Sequence, residues 1–461
     1  MAVLLTLVAY KIALVLVGLW ASRRVASERD YFLAGGRLGP WTAGLSYAAS
    51  TSSAWVLLGY TGAVYTRGAV ALWLVPGIFA GYVLCWLVIG PRLHRETRER
   101  GHLTLPDFIA GDAGPLAVPL RRLCALILLF CFCAYIAAQF QAAGTALAGA
   151  FGIGATEAVL TGAAVIVLYC FLGGFLAASI TDAVQAAVML GACIVVPLAF
   201  MSAFPTDIGH ALAGLRTSPS AGEAALWTTA GAALALLGTG LGALGQPQLL
   251  NRIMAVRSDR DRLRGAAITV VWGTLIYSAL TLLAALARTA TGFETAGEDL
   301  IFSAATAALP AVLAGIVVAA VLSAVMSTVD SLLLAAASAV SHDSAVPFRR
   351  PLLAGRLAML AVAAVAVLLT LFLPATVFDR VLFAWVALGA AFGPTVLLRA
   401  LGHRATPAAT LAAVALGFAV SVGFSLRPQL PADLVEKWGG WAVGLAVLLL
   451  NPARPIRTVN A

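Results

Sequence analysis

Charged side chains are scarce in this chain of 461 residues. Asp, Glu, Lys and Arg make up 11% of it, whereas hydrophobic residues make up 61%. A soluble domain carries roughly 25% charged residues. So few charges cannot cover a water-soluble globule, which excludes a cytosolic enzyme, a disordered protein and a secreted disulfide scaffold. The composition therefore predicts a polytopic membrane protein.

Cysteine and histidine are also few. The six cysteines all lie in apolar runs, where they are typical of small hydrophobic side chains rather than zinc ligands or disulfides. With only five histidines, we expect no metal centre beyond a bound coupling ion. No nucleophile–base pair indicates an enzyme, and no basic run interleaves with aromatic residues as a nucleic-acid site requires.

Long apolar stretches dominate the chain. A membrane-spanning helix needs roughly 20 apolar residues, and about thirteen stretches meet this length. We number them as spans 1 to 13: 3–21, 41–64, 70–90, 121–148, 155–175, 182–204, 227–249, 266–288, 311–340, 352–373, 381–400, 407–425 and 436–451. The first lacks the charged start and cleavage site of a signal peptide, so we expect a retained helix.

The basic residues alternate between the two sets of loops. One set holds 22 of them and the other set 6. By the positive-inside rule, this asymmetry predicts thirteen helices in the plasma membrane, with the N-terminus outside and the C-terminus in the cytoplasm. No stretch is suited to a separate soluble domain, so residues 1–461 are expected to form one membrane domain with a short tail at each end.

Two spans carry helix-breaking sequences. Span 2 contains a run of small and hydroxyl residues over 46–55, and span 7 contains four glycines and a proline over 238–247. Such backbone survives in a bilayer only where it is buried in protein or lines a cavity. A small-residue packing face in span 2 and a simple kink in span 7 are the alternatives. Because the breaks lie five spans apart, they indicate inverted five-helix repeats with a solute site at the breaks. The repeats would be 41–204 and 227–400, preceded by a first helix and loop (1–40) and followed by two further helices (407–461).

Polar residues in spans 6 and 9 predict an ion site. Ala324, Ser327, Thr328 and Ser331 share one helix face whose oxygens suit a hard cation such as Na⁺. Alternatively, the hydroxyls only bond the preceding turn. An intramembrane carboxylate is a functional hypothesis, and Asp330 is one. Asp182 is either another or a helix N-cap.

Seven motifs, in order, carry a resemblance. The chain is similar to bacterial sodium:solute symporters, and most of all to their sodium/proline branch. The matching stretches are 30–40, 62–65, 103–107, 173–185, 245–255, 324–328 and 389–394.

The resemblance implies a LeuT-type five-plus-five inverted repeat, built from spans 2–6 and 7–11 with helices 2 and 7 broken, and Na⁺-driven uptake. The family's sodium ligands match backbone oxygens of Ala49, Ser52 and Ala324 and the hydroxyls of Ser327 and Thr328. Relatives with a second sodium ion place it between spans 6 and 9, where Asp182, Asp330 and Ser331 are the candidates.

The resemblance also implies a solute pocket. Its substrate-facing aromatics match Trp55 and Tyr135, but the two aromatics expected in span 7 are replaced by Thr239 and Ala243. Thr51 stands where the proline symporters have an aspartate. With Ser50 and Gln246 these residues form the predicted substrate-binding set.

We therefore predict a sodium-coupled symporter that imports a small organic solute, such as proline, another amino acid or a related carboxylate, by alternating access. Na⁺ is the coupling ion, no cofactor is expected, and the partners are the solute, Na⁺ and the lipid bilayer, with the monomer as the working unit. A proton-coupled transporter of the same fold, with Asp182 or Asp330 as the proton carrier, is one alternative. A solute-sensing membrane protein is the other.

Overall fold

A computed structural model describes residues 27–170, 174–216, 223–294, 296–373, 375–426 and 432–453, with a few isolated positions between 12 and 20. The described chain is almost wholly helical, and its extended pairing is confined to two isolated bridges, Leu38 with Val256 and Ala405 with Pro452. The predicted all-α class is confirmed. Span 1 lies largely outside the described residues.

Helices cover each of the other predicted spans. Their bounds are Pro40–Thr51 and Trp55–Arg67 (span 2), Leu74–Arg100 (3), Ala117–Phe151 (4), Ala155–Cys170 (5), Phe175–Ala203 (6), Glu223–Gly245 and Pro247–Met254 (7), Asp259–Thr289 (8), Ala311–Asp343 (9), Pro351–Phe372 (10), Val377–Ala400 (11), Pro407–Ser425 (12) and Ala432–Leu450 (13). Short helices Glu28–Leu33, Leu105–Ala110, Ile208–Gly214 and Leu300–Ala308 lie in the connections.

Eight helices among the described residues are long and apolar enough to cross a membrane. The broken spans 2 and 7 divide into pieces, and the helices of spans 5 and 13 are short. The chain is therefore a multi-pass membrane protein, while the count of thirteen spans stays a prediction.

Capping residues fix where several spans begin. Ser258, Thr376 and Thr406 each accept a hydrogen bond from the backbone N–H three residues on, which satisfies a free donor at the start of spans 8, 11 and 12. Span 6 differs from expectation: its helix begins at Phe175, with Gly174 as N-cap. Asp182 therefore lies inside the helix, and the N-cap alternative is wrong.

Spans 9 and 11 form the centre of the molecule. Nearly every side chain of span 9 between Val317 and Ser338 is buried. Span 10, in contrast, exposes a row of large apolar side chains that includes Leu352, Leu357 and Leu368. In a bilayer such a row faces lipid, so the centre positions the site and the outer spans shield it.

The break in span 7 packs directly on span 3. A Cβ atom added at Gly240 would lie 1.7 Å from the carbonyl oxygen of Gly77, so the two backbones are in contact. Small residues permit such close approach between membrane helices.

We expect Gly240→Ala to separate spans 3 and 7. The added methyl group would meet the backbone of span 3, which cannot move aside as a flexible side chain could. The variant should lose transport and unfold several degrees below the wild type in detergent. Gly191→Ala is the matched control, because a Cβ atom there meets nothing within 4 Å. Equal melting temperatures for the two variants would contradict this packing.

Candidate functional site

The helix of span 2 is interrupted at residues 52–54. Regular helix ends at Thr51, and a wider helical turn resumes at Trp55. Gln139 of span 4 holds the interruption: its Oε1 accepts from the backbone N–H of Ala54 at 3.2 Å, and its Nε2 donates to Ser53 Oγ at 3.2 Å. Freed backbone groups at membrane depth need such partners. Sequence reasoning missed Gln139, although a glutamine inside the apolar stretch 121–148 was a usable signal.

Span 7 narrows to a tight helix over Thr239–Gly245 and restarts after Gln246. Gln246 Nε2 donates to the carbonyl oxygens of Gly242 and Trp385, each at 3.2 Å. The indole Nε1 of Trp385 donates to the Thr239 carbonyl at 2.9 Å. Span 11 therefore satisfies the broken backbone of span 7, and Trp385 is a second residue that sequence reasoning missed.

Four of the five predicted sodium ligands are joined by contacts between spans 2 and 9. Ser327 Oγ lies 3.4 Å from the Ala49 carbonyl oxygen and 3.1 Å from that of Ala324. Thr328 Oγ1 lies 3.1 Å from the same Ala324 oxygen. The fifth, Ser52, ends the first half of span 2, and its buried hydroxyl has no hydrogen-bond partner among the described residues.

The hydroxyls of Ser327 and Thr328 do bond the preceding turn, as the alternative interpretation expected. That geometry does not exclude an ion site, because each hydroxyl donates one hydrogen and keeps lone pairs that can accept. The cluster is buried and consists of neutral oxygens. Its donor set therefore fits a small hard cation such as Na⁺.

The predicted solute residues of span 2 surround its break. Trp55 Nε1 donates to the Thr51 carbonyl at 3.0 Å, and Thr51 Oγ1 donates to that of Ala48 at 2.8 Å. Ser50 Oγ lies 3.4 Å from Ser331 Oγ. Trp55 is only 2% exposed, so this site is closed to solvent in the present conformation.

The other predicted solute residues are also buried. The hydroxyls of Tyr135 and Thr239 lack hydrogen-bond partners within the described part of the chain, which leaves them free for a polar solute or water. Gln246 is occupied by backbone carbonyls, as described above. Ala243 faces span 3, since a Cβ atom at Gly81 would lie 3.1 Å from its Cβ.

Most of the arginines lie in one set of loops, which includes residues 92–100 and 257–264 and which we call the arginine-rich loops. Aromatic and charged groups close the site on the side away from these loops. The Phe378 ring of span 11 packs edge-on against Trp55, with 6.3 Å between ring centroids, and Arg67 lies 5.0 Å above the Phe378 ring. Glu298, in the connection between spans 8 and 9, accepts from the backbone N–H groups of Val377 and Phe378 at 2.9 and 2.8 Å. Burial raises the pKa of the Glu298 carboxyl, and these two donors oppose the rise.

A buried ion pair closes the opposite side. Arg252 and Asp182 are both fully buried, and their side chains are 2.7 Å apart. Ser46 Oγ accepts from Arg252 Nε at 2.7 Å and donates to Asp182 at 2.6 Å. Arg252 also donates to Ser331 Oγ at 2.6 Å. The guanidinium thus joins spans 2, 6, 7 and 9.

The predicted second cation site coincides with this ion pair. Ser331 Oγ lies 3.2 Å from Asp330 Oδ1, so the structure brings Asp182, Asp330 and Ser331 together around Arg252. One oxygen of each carboxylate, Asp182 Oδ1 and Asp330 Oδ2, has no partner among the described residues. Sequence reasoning missed that an arginine already supplies a positive charge there, so the second cation site stays a prediction.

Comparison with known proteins identifies the family of the chain. The sodium:solute symporter family matches residues 31–417 of the chain. The chain belongs to this family. It is a sodium-coupled solute symporter, as the sequence motifs predicted.

Several curated relatives of this symporter are similar over nearly their full length. The osmoregulated proline transporter OpuE of Bacillus subtilis is 33% identical over 90% of this chain and 87% of its own. The sodium/proline symporter of Escherichia coli is 32% identical over 90% of this chain and 86% of its own.

Solved structures show the same fold. A Na⁺-coupled sialic acid symporter in its substrate-bound outward-open state superposes with a TM-score of 0.77, at 16% identity and with 99% of both chains covered. Mhp1, a nucleobase-cation-symport-1 family transporter in a closed conformation, gives 0.57 at 13% identity, with 92% of this chain and 94% of its own covered. The predicted LeuT-type fold is confirmed.

We expect Arg252→Gln to destabilise the symporter strongly, because it leaves the Asp182 carboxylate buried without its partner. Removing one member of a buried ion pair costs roughly 3–5 kcal/mol. The double variant Arg252→Gln/Asp182→Asn should recover much of this loss. Thermal unfolding in detergent measures both effects. Arg260→Gln, an exposed arginine eight residues on, is the control. If the double variant were as unstable as the sum of its two single variants, the pair would not be coupled.

Proposed function

We propose that this symporter takes up a small organic solute, an amino acid such as proline or a related carboxylate, together with Na⁺ bound between spans 2 and 9. The observation that carries the proposal is the oxygen cluster of Ala49, Ala324, Ser327 and Thr328, which lies next to the broken segment that holds Trp55. Na⁺ in the cluster would link the two spans. The residues of the broken segment would then bind solute only in the sodium-loaded form.

Transport by this mechanism needs the two closures to open in turn. On one side, the contacts of Phe378 with Trp55, Arg67 and Glu298 would break. On the other side, the Arg252–Asp182 pair would separate from Ser46 or Ser331. The sodium gradient supplies the free energy. One charge that crosses 100 mV contributes about 2.3 kcal/mol, and the concentration ratio adds to it.

The proposal for the solute rests on relatives that are named proline transporters, and on the pocket itself. Thr239 and Ala243 replace the aromatics expected in span 7, but Trp385 of span 11 lies against the same segment. A Cβ atom at Gly242 would lie 1.9 Å from the Trp385 ring. We infer that Trp385 provides aromatic surface that span 7 lacks, so that a flat or ring-shaped solute such as proline is still accommodated.

We also propose the predicted organisation of the chain. The N-terminus would lie outside and the C-terminus in the cytoplasm, with the arginine-rich loops facing the cytoplasm. Residues 41–204 and 227–400 would be the inverted repeats, and the monomer would be the working unit.

Proton coupling is the second candidate, and one observation favours it. Among the described residues, Asp182 and Asp330 each keep a buried oxygen without a hydrogen-bond partner, and Asp182 is paired with Arg252. One guanidinium balances one carboxylate, so the second carboxyl group could take up and release a proton. In this case uptake would follow the pH gradient and not the sodium gradient.

Uptake of radiolabelled solutes into proteoliposomes tests the proposal. Proline, other amino acids and small carboxylates are compared under a Na⁺ gradient, under a choline gradient and under a pH gradient. We expect accumulation of one solute class that requires Na⁺. Accumulation driven by the pH gradient alone would favour the proton-coupled alternative.

The ion ligands give a sharper prediction. Deleting a hydroxyl ligand in a dry site leaves the cation without a replacement, at a cost of roughly 1–3 kcal/mol, or about five- to 150-fold in affinity. Ser327→Ala and Thr328→Ala should each raise the Na⁺ concentration for half-maximal uptake by that factor.

Ser338→Ala is the matched control for these variants. Ser338 donates to the carbonyl three residues earlier on the same helix, as Ser327 does, but it lies three turns beyond the cluster. Its Na⁺ dependence should be that of the wild type. An unchanged Na⁺ requirement in both hydroxyl variants would refute the proposed sodium site.

Trp55 is expected to contact the solute. Trp55→Ala should raise the solute KM at least tenfold, a loss of about 1.4 kcal/mol, with little change in the Na⁺ affinity measured without solute. Trp73→Ala removes a half-exposed indole elsewhere in the chain. It shows how far the loss of a tryptophan side chain alone lowers the expression level and the uptake. A normal KM in well-folded Trp55→Ala would remove Trp55 from the pocket.

A further inference from the structure

Three polar side chains meet at the arginine-rich face, away from the sodium and solute sites. Asp107 lies on the short helix Leu105–Ala110, and His342 and Asp343 end span 9. One ligand atom from each of these three side chains lies within 4.8 Å of the other two. Two carboxylate oxygens and one imidazole nitrogen therefore converge from two segments of the chain.

The contacts of this cluster leave one acceptor unused. His342 Nε2 lies 2.8 Å from Asp107 Oδ2, and Thr104 Oγ1 donates to Asp343 Oδ1 at 2.7 Å. Asp343 is fully buried, and its other oxygen, Oδ2, has no hydrogen-bond partner among the described residues. A buried acceptor without a partner is costly, so the Asp343 carboxyl keeps an unused acceptor at the cluster.

The two oxygens of Asp107 have different partners. Oδ2 lies beside His342 Nε2 and accepts from the backbone N–H of Leu103 at 3.0 Å. Arg121 contacts Oδ1 at 3.2 Å. Oδ2, the oxygen beside His342, can thus serve as an anionic ligand while Arg121 stays in place.

We propose that Asp107, His342 and Asp343 bind a divalent transition-metal ion of the Zn²⁺ class. Imidazole and carboxylate together suit such ions, which take nitrogen and oxygen ligands at about 2.0–2.2 Å. Tetrahedral coordination places ligand atoms about 3.4 Å apart. Nε2 and Asp107 Oδ2, now 2.8 Å apart, would therefore separate slightly to admit the ion between them, and the ligand atom of Asp343 lies within 4.8 Å of both. Water completes the coordination through the exposed edge of His342, whose side chain is 22% accessible.

Metal binding displaces protons from the ligands. Nε2 must offer its lone pair to the metal, so the proton that it shares with Asp107 passes to Nδ1 if the imidazole starts neutral, or to solvent if the imidazole starts doubly protonated. A proton on Asp343 would likewise pass to solvent, and the hydrogen bond between Nε2 and Asp107 is replaced by the two metal bonds. Glu28 Oε1 lies 3.6 Å from Nδ1. A carboxylate on the far side of a metal-bound imidazole orients the ring and fixes this tautomer.

The site would connect the sodium helix to a neighbouring segment. Span 9 carries Ser327 and Thr328 and ends at Asp343, so a metal ion there would fix the end of that helix to the helix Leu105–Ala110. The proposal does not depend on which solute or ion is transported.

Calorimetric titration of the purified full-length chain with Zn²⁺, after chelator treatment, tests the site. We expect one saturable site per chain, with binding at least tenfold weaker in both His342→Gln and Asp343→Asn. His403→Gln, on the same face, is the control and should bind as the wild type. Absence of saturable binding in the wild type, or wild-type affinity in both cluster variants, would overturn the proposal.

A second measurement on the wild type keeps the test independent of variant folding. The X-ray absorption spectrum of the Zn²⁺-loaded chain should show nitrogen and oxygen neighbours near 2.0–2.2 Å. Sulfur neighbours near 2.3 Å would assign the ion to a cysteine and reject the cluster.

Discussion

The conformation of this symporter depends on one buried arginine. Arg252 lies on the second half of span 7 and contacts Ser46 of span 2, Asp182 of span 6 and Ser331 of span 9. A guanidinium out of water is stable only when its charge is paired and its donors are used. These requirements force four spans to converge on one point, which closes the site on the arginine-rich face. Opening that face must transfer the same donors to water or to other acceptors.

The breaks in spans 2 and 7 leave backbone groups without helical hydrogen bonds, which is costly in a membrane. Side chains near each break bond these groups. Backbone freed at residues 52–54 is bound by Gln139, and backbone freed at Thr239–Gly245 is bound by Gln246 and Trp385. Each break is therefore held by a side chain from a continuous helix, Gln139 of span 4 or Trp385 of span 11, and Gln246 adds a bond from within span 7. The gap in span 2 held in this way leaves the Ala49 carbonyl facing Ser327 and the Ser52 hydroxyl without a hydrogen-bond partner among the described residues. The breaks are thus stable in the membrane and still present polar groups that an ion or a solute can contact.

The class of fold and the positions of the two helix breaks could be predicted from the sequence, because both follow from local composition. The scarcity of charges and the apolar runs indicate membrane helices, and clusters of glycine or hydroxyl residues indicate the breaks. The sequence also placed Ser327, Thr328 and Ala324 together, since helical spacing puts them on one face. It could not place Asp182, whose role depends on Arg252, 70 residues away. The same limit hid Gln139 and Trp385, and the Asp107–His342 contact spans 235 residues. The expectation that five histidines provide no metal centre could not take this cluster into account, because the cluster exists only after folding.

Ser331 connects the Arg252–Asp182 ion pair to the oxygen cluster that we propose as the sodium site. Its hydroxyl accepts from Arg252 at 2.6 Å and donates to the Ser327 carbonyl at 2.8 Å. Ser327 in turn presents its own hydroxyl to the Ala49 carbonyl. A cation bound by this hydroxyl and the Ala49 oxygen would move the helical turn that contains Ser327. Because Ser331 donates to the Ser327 carbonyl, Ser331 would move as well. The position of its hydroxyl relative to Arg252 would then change. Coupling between sites is commonly worth 1–3 kcal/mol, which is within the range of two or three such hydrogen bonds. The proposed sodium site and the ion pair that closes the arginine-rich face therefore share one short chain of contacts, and this chain does not require the solute to be present.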